Sequence, residues 1–399
     1  MTNLRDFFLL DPDVIFLNHG SFGACPKPVF DEYQRWQREL ERQPVEFLGR
    51  RFNDLMHEAR SALGDYVGAD ADDVTYVTNA TVGLNVVARS IPLRPGDEVL
   101  TTDHEYGALD RTWRFLCEKQ GAKYVRQPVS VPIGRGDPRD RPGSAQDRPQ
   151  HEVIEAIWSG VSERTRVLFL SHITSPTAIT LPIAPLIDRA RRAGIITIID
   201  GAHAIGQIDL NLRELGADFY SSNCHKWLLA PKGAAFLYAR KEMQPLVEPL
   251  VVSWGWQPEK PGSSKFIDEQ EWQGTRDIAA YLSVPAAIQF QREHQWAQVR
   301  EECHELVRYA RERVSALTGL PPLTPDDAQW FTQLSALPLP PCDLAVLKRR
   351  LYDEFKIEIP VINWNGRHFA RISIQGYNTR ADVEALLQAL RLMLPQVKC

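Results

Sequence analysis

The sequence lacks most of the features that would place a protein outside the ordinary globular enzymes. No eighteen apolar residues run together, so no membrane-spanning helix is expected. The opening MTNLRDFFLLDPDVIFLNHG carries one early arginine and then acids. It lacks the basic start, apolar stretch and small-residue cleavage site of a secretory leader. There is no basic excess: the net charge is −5, which points away from nucleic acid and anionic membranes as partners. The six cysteines, Cys25, Cys117, Cys224, Cys303, Cys342 and Cys399, are far apart and include no Cys-x-x-Cys pair. Disulfides and a zinc site are therefore not expected, and the usage is that of reduced thiols in a cytoplasmic protein. No internal repeat is present.

A chain of 399 residues, 44% hydrophobic and 24% charged, can bury a large core and is long enough for two domains. Short β-branched runs alternate with amphipathic stretches through its middle. Strands are expected at DVTYVT (73–78), DEVLTT (97–102), KYVRQPV (123–129), RVLFLSH (166–172), IITIID (195–200), DFYSS (218–222) and GAAFLYAR (233–240). Helices are expected at 80–91, 107–122 and 184–194. This alternation implies an α/β fold: a mainly parallel sheet with helices on both faces. DPRDRPGSAQDRPQ (137–150) reads as an exposed loop. After a polar bridge, WQPEKPGSSK (256–265), long helical stretches at 279–294 and 299–317 lead into strand-like QLSALPL and FARISI. Helical DLAVLKRRLYDEF and RADVEALLQALRLML complete an α+β texture. The helices at 31–43 and 50–68 belong to neither part by pattern. The domains are set at 18–260 for the larger and at 1–17 with 261–399 for the smaller.

Ligands of open parallel sheets bind beyond the carboxyl ends of the strands. Four groups fall there: Asn79-Ala80-Thr81, Ser171-His172, Asp200 and His225-Lys226. Singly, Asp200 reads as a helix cap and Lys226 as a surface charge with an apolar stem. As a pair they mean more. A lysine in an apolar pocket attacks carbonyls as the neutral amine, and a nearby aspartate can hold a protonated pyridine nitrogen. Pyridoxal 5′-phosphate needs those two groups. Its phosphate needs free N–H groups at a helix start, which TNATVG (78–83) supplies.

DGAHAIG followed by SSNCHKWLLAPKG resembles the class V aminotransferase superfamily of pyridoxal-phosphate enzymes. FLNHGSFG, PVEFL, TNATVGLN, DHEYGA, FLSHITSPTA, VSWGW, EWQGTRD and RISIQGYNT, in that order over nearly the whole chain, resemble the isopenicillin N epimerase branch. The resemblance implies a type I pyridoxal-phosphate fold with a mainly parallel seven-stranded sheet and a smaller α+β C-terminal domain. It implies Lys226 as the Schiff-base lysine, Asp200 on the pyridine nitrogen, His203 near the phenolic oxygen and Tyr106 stacked on the ring. Ala80, Thr81, Asn223 and His225 would hold the phosphate, with Thr275 donated by the other subunit of a homodimer. Arg371 would clamp a substrate carboxylate. Ser175, near the ring oxygen, stands where many members carry asparagine. The substrate would be a small amino acid or a compound containing one, and the chemistry would lie at its α-carbon. Reprotonation on the opposite face gives epimerisation, with His19 or Tyr106 as candidates for the second acid/base and His19 also for substrate binding. Loss of a β-sulfur group gives a Cβ–S lyase instead. Transamination ranks lower. So does desulfuration, because VINWNGRHFAR (361–371) has no cysteine where desulfurases carry their nucleophile. A non-catalytic interaction protein on the same fold is the reading from another class, and the joint presence of Lys226, Asp200 and Arg371 argues against it.

Overall fold

A computed structural model describes residues 4–133 and 148–397, without the side chain of Arg148. Most of the loop expected at 137–150 lies outside the described residues. Its last three positions begin a helix, Arg148–Trp158, instead of continuing the loop.

The strands, in chain order, are β1 (Ile15–Phe16), β2 (Val74–Val77), β3 (Glu98–Thr102), β4 (Lys123–Gln127), β5 (Thr165–Ser171) and β6 (Ile196–Asp200). They continue with β7 (Phe219–Ser222), β8 (Ala235–Ala239), β9 (Leu334–Leu339), β10 (Ile357–Glu358), β11 (Val361–Trp364) and β12 (Arg367–Ser373). Seven of them form one sheet in the order β2-β8-β7-β6-β5-β3-β4. The β3/β4, β3/β5, β5/β6 and β6/β7 pairs are parallel, whereas β8 runs antiparallel to both β7 and β2. The α/β reading with a mainly parallel seven-stranded sheet is thus the observed architecture.

Side-chain alternation explains why these runs are apolar throughout. Val167 and Phe169 of β5 join one apolar layer with Leu84, Leu109 and Trp113 of the helices Ala80–Ser90 and Gly107–Gln120. Leu168 and Leu170 point the other way. They join Ile187 of the helix Ile183–Arg192 in a core that continues to Val307, Leu347 and Leu386 near the C-terminus. The helices Lys27–Arg42 and Phe52–Val67 pack on the pair Ala279–Leu282 and Val284–Glu293. That pair was expected as one helix. It breaks at Ser283, where Pro285 fits the first turn of a new helix but not the interior of a continuing one.

A second sheet, β11-β12-β9, is antiparallel. Its β11–β12 hairpin pairs Trp364 with Arg367 across Asn365-Gly366 (φ 49° and 75°), the two-residue turn that this dipeptide favours. Ser373, at the end of β12, bridges to Asn18, bringing the N-terminal HGSFG segment beside this second sheet. Among the described residues no helix is long and apolar enough to cross a membrane.

Candidate active site

Parallel register aligns the strand ends that carry polar groups. Ser171 of β5 pairs with Asp200 of β6, and Asp200 pairs with Ser221 of β7. Beyond them opens a cleft of about 780 Å³, lined by Lys226, Asp200, His203, Asn223, His225, Ala80, Thr81, Tyr106, Ser175 and Arg371. Residues from six separate stretches of the chain therefore meet in one place.

Lys226 sits in the turn after β7, held by fully buried Trp227, Leu228 and Leu229. The N-terminal segment closes on this turn at Gly23 (φ 71°), where a Cβ would stand 2.0 Å from the His225 carbonyl oxygen. Only glycine fits that approach. Burial, with Arg371 nearby, lowers the lysine to about 7, while Asp200 pulls the other way. The amine is therefore substantially neutral near physiological pH.

Asp200 is 4% exposed. Its Oδ1 accepts the Ala202 N–H at 2.9 Å, and Oδ2 has no protein hydrogen-bond partner among the described residues. Burial raises the carboxyl to about 6, against the opposing pull of the Ala202 hydrogen bond and Lys226. A buried acid with a free oxygen is suited to a cationic N–H such as a pyridinium.

The helix Ala80–Ser90 begins with Asn79 Oδ1 accepting the Val82 N–H at 2.9 Å. The Ala80 N–H donates to Asn223 Oδ1 at 2.8 Å. Ala80 and Asn223, both expected among the residues that hold the phosphate, line the cleft and are joined by this bond. Thr81 keeps a free N–H and hydroxyl at the cleft among the described residues. His225 donates from Nδ1 to the Ala234 carbonyl at 3.1 Å, and burial lowers it to about 4. The helix start thus offers one open N–H and a hydroxyl, both from Thr81, at the end of the helix where an anion such as phosphate is favoured.

Arg371, on β12, is 6% exposed. Its Nη1 donates to Ser175 O at 2.6 Å and Ser175 Oγ at 3.0 Å, and Nη2 donates to Ser21 Oγ at 3.3 Å. Its Nε is buried without a partner, and no carboxylate among the described residues pairs with the guanidinium. Burial lowers it to about 10. An unpaired buried guanidinium facing a cleft is arranged for an anionic ligand. Ser175, placed by sequence near a ring oxygen, here serves Arg371.

One residue expected in this cleft, His19, does not line it, and Thr275, expected from the other subunit, lies outside it as well. His19 was a candidate for substrate binding and for the second acid/base, yet it is fully buried. Its Nδ1 meets Tyr377 Oη at 2.9 Å and its Nε2 meets the Lys226 carbonyl at 3.0 Å. Burial drives it down to about 3, so it is a neutral brace behind the lysine turn. Thr275 is exposed on a bend and does not line the cleft of its own chain. Tyr106 does line it, 45% exposed at the start of the helix Gly107–Gln120.

Sequence reasoning did not single out Ser21, Phe22 or Glu105. The first two lie inside the quoted HGSFG motif and line the cleft. Glu105 accepts from Thr102 Oγ1 at 2.7 Å, Ser171 N at 3.0 Å and Ser171 Oγ at 2.6 Å, tying β3 to β5 beneath the site. Burial raises it to about 7. The β11–β12 turn is fastened to the same loop. Asn365 donates to Asp103 Oδ2 at 2.7 Å and Trp364 Nε1 to Asp103 O at 2.9 Å. No described cysteine lines the cleft, and burial pushes the Cys224 thiol far up, which marks it as a packing group.

The family model for class-V aminotransferases matches residues 23–386. An isopenicillin N epimerase of Amycolatopsis lactamdurans is 38% identical, over 98% of this chain and 97% of that protein. An L-cysteine desulfhydrase of Arabidopsis thaliana is 28% identical, over 96% of this chain and 88% of that one. The solved structure of a cysteine desulfurase from Thermococcus onnurineus superposes with a TM-score of 0.81. It is 20% identical over 99% of this chain and 98% of that chain, and shows the shared fold.

Proposed function

Because this chain belongs to the class-V aminotransferase family, we propose that it is a pyridoxal 5′-phosphate enzyme that moves the α-proton of an amino-acid substrate, with epimerisation as the outcome. Bound in the cleft, the cofactor supplies an electron sink for the pair left at the α-carbon. The observation that carries the substrate class is Arg371. Its orphaned Nε and lack of a carboxylate partner fit the α-carboxylate of an amino acid, in the same cleft as Lys226 and Asp200. Arg371 binds and orients that carboxylate, with Ser175 and Ser21 fixing the plane of the guanidinium. The Lys226 amine, substantially neutral near pH 7, would hold the cofactor and would take the α-proton at Nζ. Asp200, with its Oδ2 unengaged, would hold a protonated ring nitrogen of the cofactor. Tyr106 offers the cleft a flat apolar face and a hydroxyl, and is the remaining candidate for a proton donor opposite Lys226.

The desulfhydrase relatives support a second outcome, in which proton removal is followed by loss of a β-sulfur group. Persulfide capture is disfavoured, since a two-residue turn occupies the hairpin that precedes Arg371. Incubation with L-amino acids and S-substituted cysteines in deuterium oxide separates these readings. Deuterium at the α-carbon with inversion supports the epimerase. Release of pyruvate with sulfide from cysteine, or with a thiol from its S-substituted forms, shows the lyase, and absence of both α-exchange and pyruvate with every substrate refutes both.

Arg371→Lys keeps the charge but loses the planar fork, so KM is expected to rise about 10- to 100-fold, with slower α-proton exchange. An unchanged KM means that the carboxylate binds elsewhere.

A homodimer with composite sites belongs to the same proposal. Exposed Val252, Trp254 and Trp256 form an apolar stretch that a second copy would cover, and exposed Thr275 is free to reach a neighbour's phosphate cradle. Mixing inactive Lys226→Ala with Thr275→Glu is expected to restore activity, since each hybrid contains one intact site. Full activity of a monomer at high dilution rules the arrangement out.

A further inference from the structure

We infer that Trp227 is a positioning residue: its indole N–H sets the tautomer of His203, which then presents Nε2–H to the Lys226 amine. The inference rests on the reading of Lys226 given above and goes beyond it by naming what holds the amine in its reactive form.

Trp227 is fully buried among Ile173, Ala178 and Leu334. Its carbonyl accepts from Gln291 Nε2 at 2.8 Å, and its ring lies tilted against His19 with centroids 4.9 Å apart. Gly206 (φ 84°) allows the facing backbone to approach, since a Cβ there would lie 2.3 Å from the Trp227 carbonyl oxygen. The indole is thus held from several sides. Its N–H, which can only donate, meets His203 Nδ1 at 3.3 Å.

His203 is 3% exposed. Burial keeps its imidazole neutral, reinforced by the nearby charge of Arg371. A neutral imidazole carries one ring proton. With Nδ1 accepting from Trp227, that proton is on Nε2, which stands 3.3 Å from Lys226 Nζ. An ammonium group has three donors and no acceptor, so it cannot satisfy an Nε2–H facing it. A neutral amine can, through its lone pair. The chain Trp227 to His203 to Lys226 is therefore complete only when the lysine is unprotonated. Arg371 acts in the same direction, whereas Asp200 alone would draw the lysine toward the ammonium form. Lys232 bears on His19 and His225 behind the site. The relay offsets the pull of Asp200 without removing the carboxylate that the ring nitrogen needs.

Trp227→Phe keeps an aromatic ring in place and removes the donor. His203 is then free to carry its proton on Nδ1 and accept from an ammonium at Nε2, so the lysine becomes harder to deprotonate. The readout is the rate at which the full chain, freed of cofactor, takes up added pyridoxal 5′-phosphate, followed by absorbance against pH. The alkaline midpoint of that rate is expected to rise by about one pH unit in the variant, the scale of one hydrogen bond. In a His203→Ala background the same substitution is expected to shift nothing. An unmoved midpoint, or an equal shift in both backgrounds, overturns the relay. Ring ¹⁵N NMR of the unmodified chain, with His203 assigned by its loss in His203→Ala, tests the tautomer without any change at Trp227. A bare Nδ1 with a protonated Nε2 is expected, and a proton on Nδ1 overturns the inference. Failure of the unmodified chain to take up the cofactor at any pH would instead sink the reading of Lys226, while the tautomer would still be decided by NMR.

Discussion

Lys226→Ala is expected to lower turnover by at least about 10⁴-fold, because one side chain supplies both the nucleophile and the proton acceptor. The fold should survive. Among the described residues the lysine side chain makes one long hydrogen bond, to His203 at 3.3 Å, and its removal takes an ionisable group out of a buried site. The variant should still bind pyridoxal 5′-phosphate, through the Thr81 cradle and Asp200, but release it on dialysis. Borohydride should fix the cofactor to the unmodified chain at Lys226, located by peptide mapping, and fail to fix it in the variant. A variant that turns over and keeps the normal visible absorbance would sink the assignment.

The same substitution has a signature in stability against pH. Folding lowers the lysine from about 10.5 to about 7. Between those values the unfolded chain holds a proton that the folded chain has released. The unfolded state binds more protons there, so Lys226 makes the stability of the cofactor-free chain rise with pH across that window. Below about pH 7 both states are protonated and the full cost of the buried ammonium is felt. Lys226→Ala should remove this slope, and thermal melts at a series of pH values compare the two chains.

Asp200→Asn is expected to cut turnover by about 10²- to 10³-fold while leaving the fold intact, the range seen when one aligned electrostatic partner is lost. The amide keeps the shape, and its oxygen can still accept the Ala202 N–H. It carries no charge, so it cannot hold a protonated ring nitrogen, and the electron sink weakens. Cofactor retention should fall less than the rate does. Steady-state kinetics with a cofactor-loaded variant checks this. An unchanged rate would mean that Asp200 serves only the turn at Ala202.

Local sequence determined much of this protein. Strand ends are legible because alternation and β-branching stop where a strand stops. Asp200, which ends β6, and His225-Lys226, which follow β7, could therefore be placed on one edge of the sheet before any coordinates. The helix start at Asn79-Ala80-Thr81 is equally local, because a capping side chain and small residues are neighbours in sequence. The missing cysteine in VINWNGRHFAR is also a sequence fact, although the structure adds that an Asn-Gly turn closes that hairpin and ties it to Asp103.

Tertiary structure decided what those groups do to one another. Ser175 is 196 residues from Arg371, and no periodicity links them, yet its carbonyl and hydroxyl orient the guanidinium. His19 adjoins a cleft-lining glycine in sequence, but its imidazole turns behind the lysine, where Tyr377 and a backbone carbonyl use both ring nitrogens. Asn223 takes the Ala80 N–H from 143 residues away, which moves the open donor to Thr81. The protonation of Lys226 depends on the least local feature of all. Burial, Arg371, Asp200 and the Trp227–His203 pair converge on one amine from separate stretches of the chain. Residue type and spacing state which groups can ionise. Only packing sets the surrounding dielectric and the partners within hydrogen-bond reach, and these decide which form each group takes.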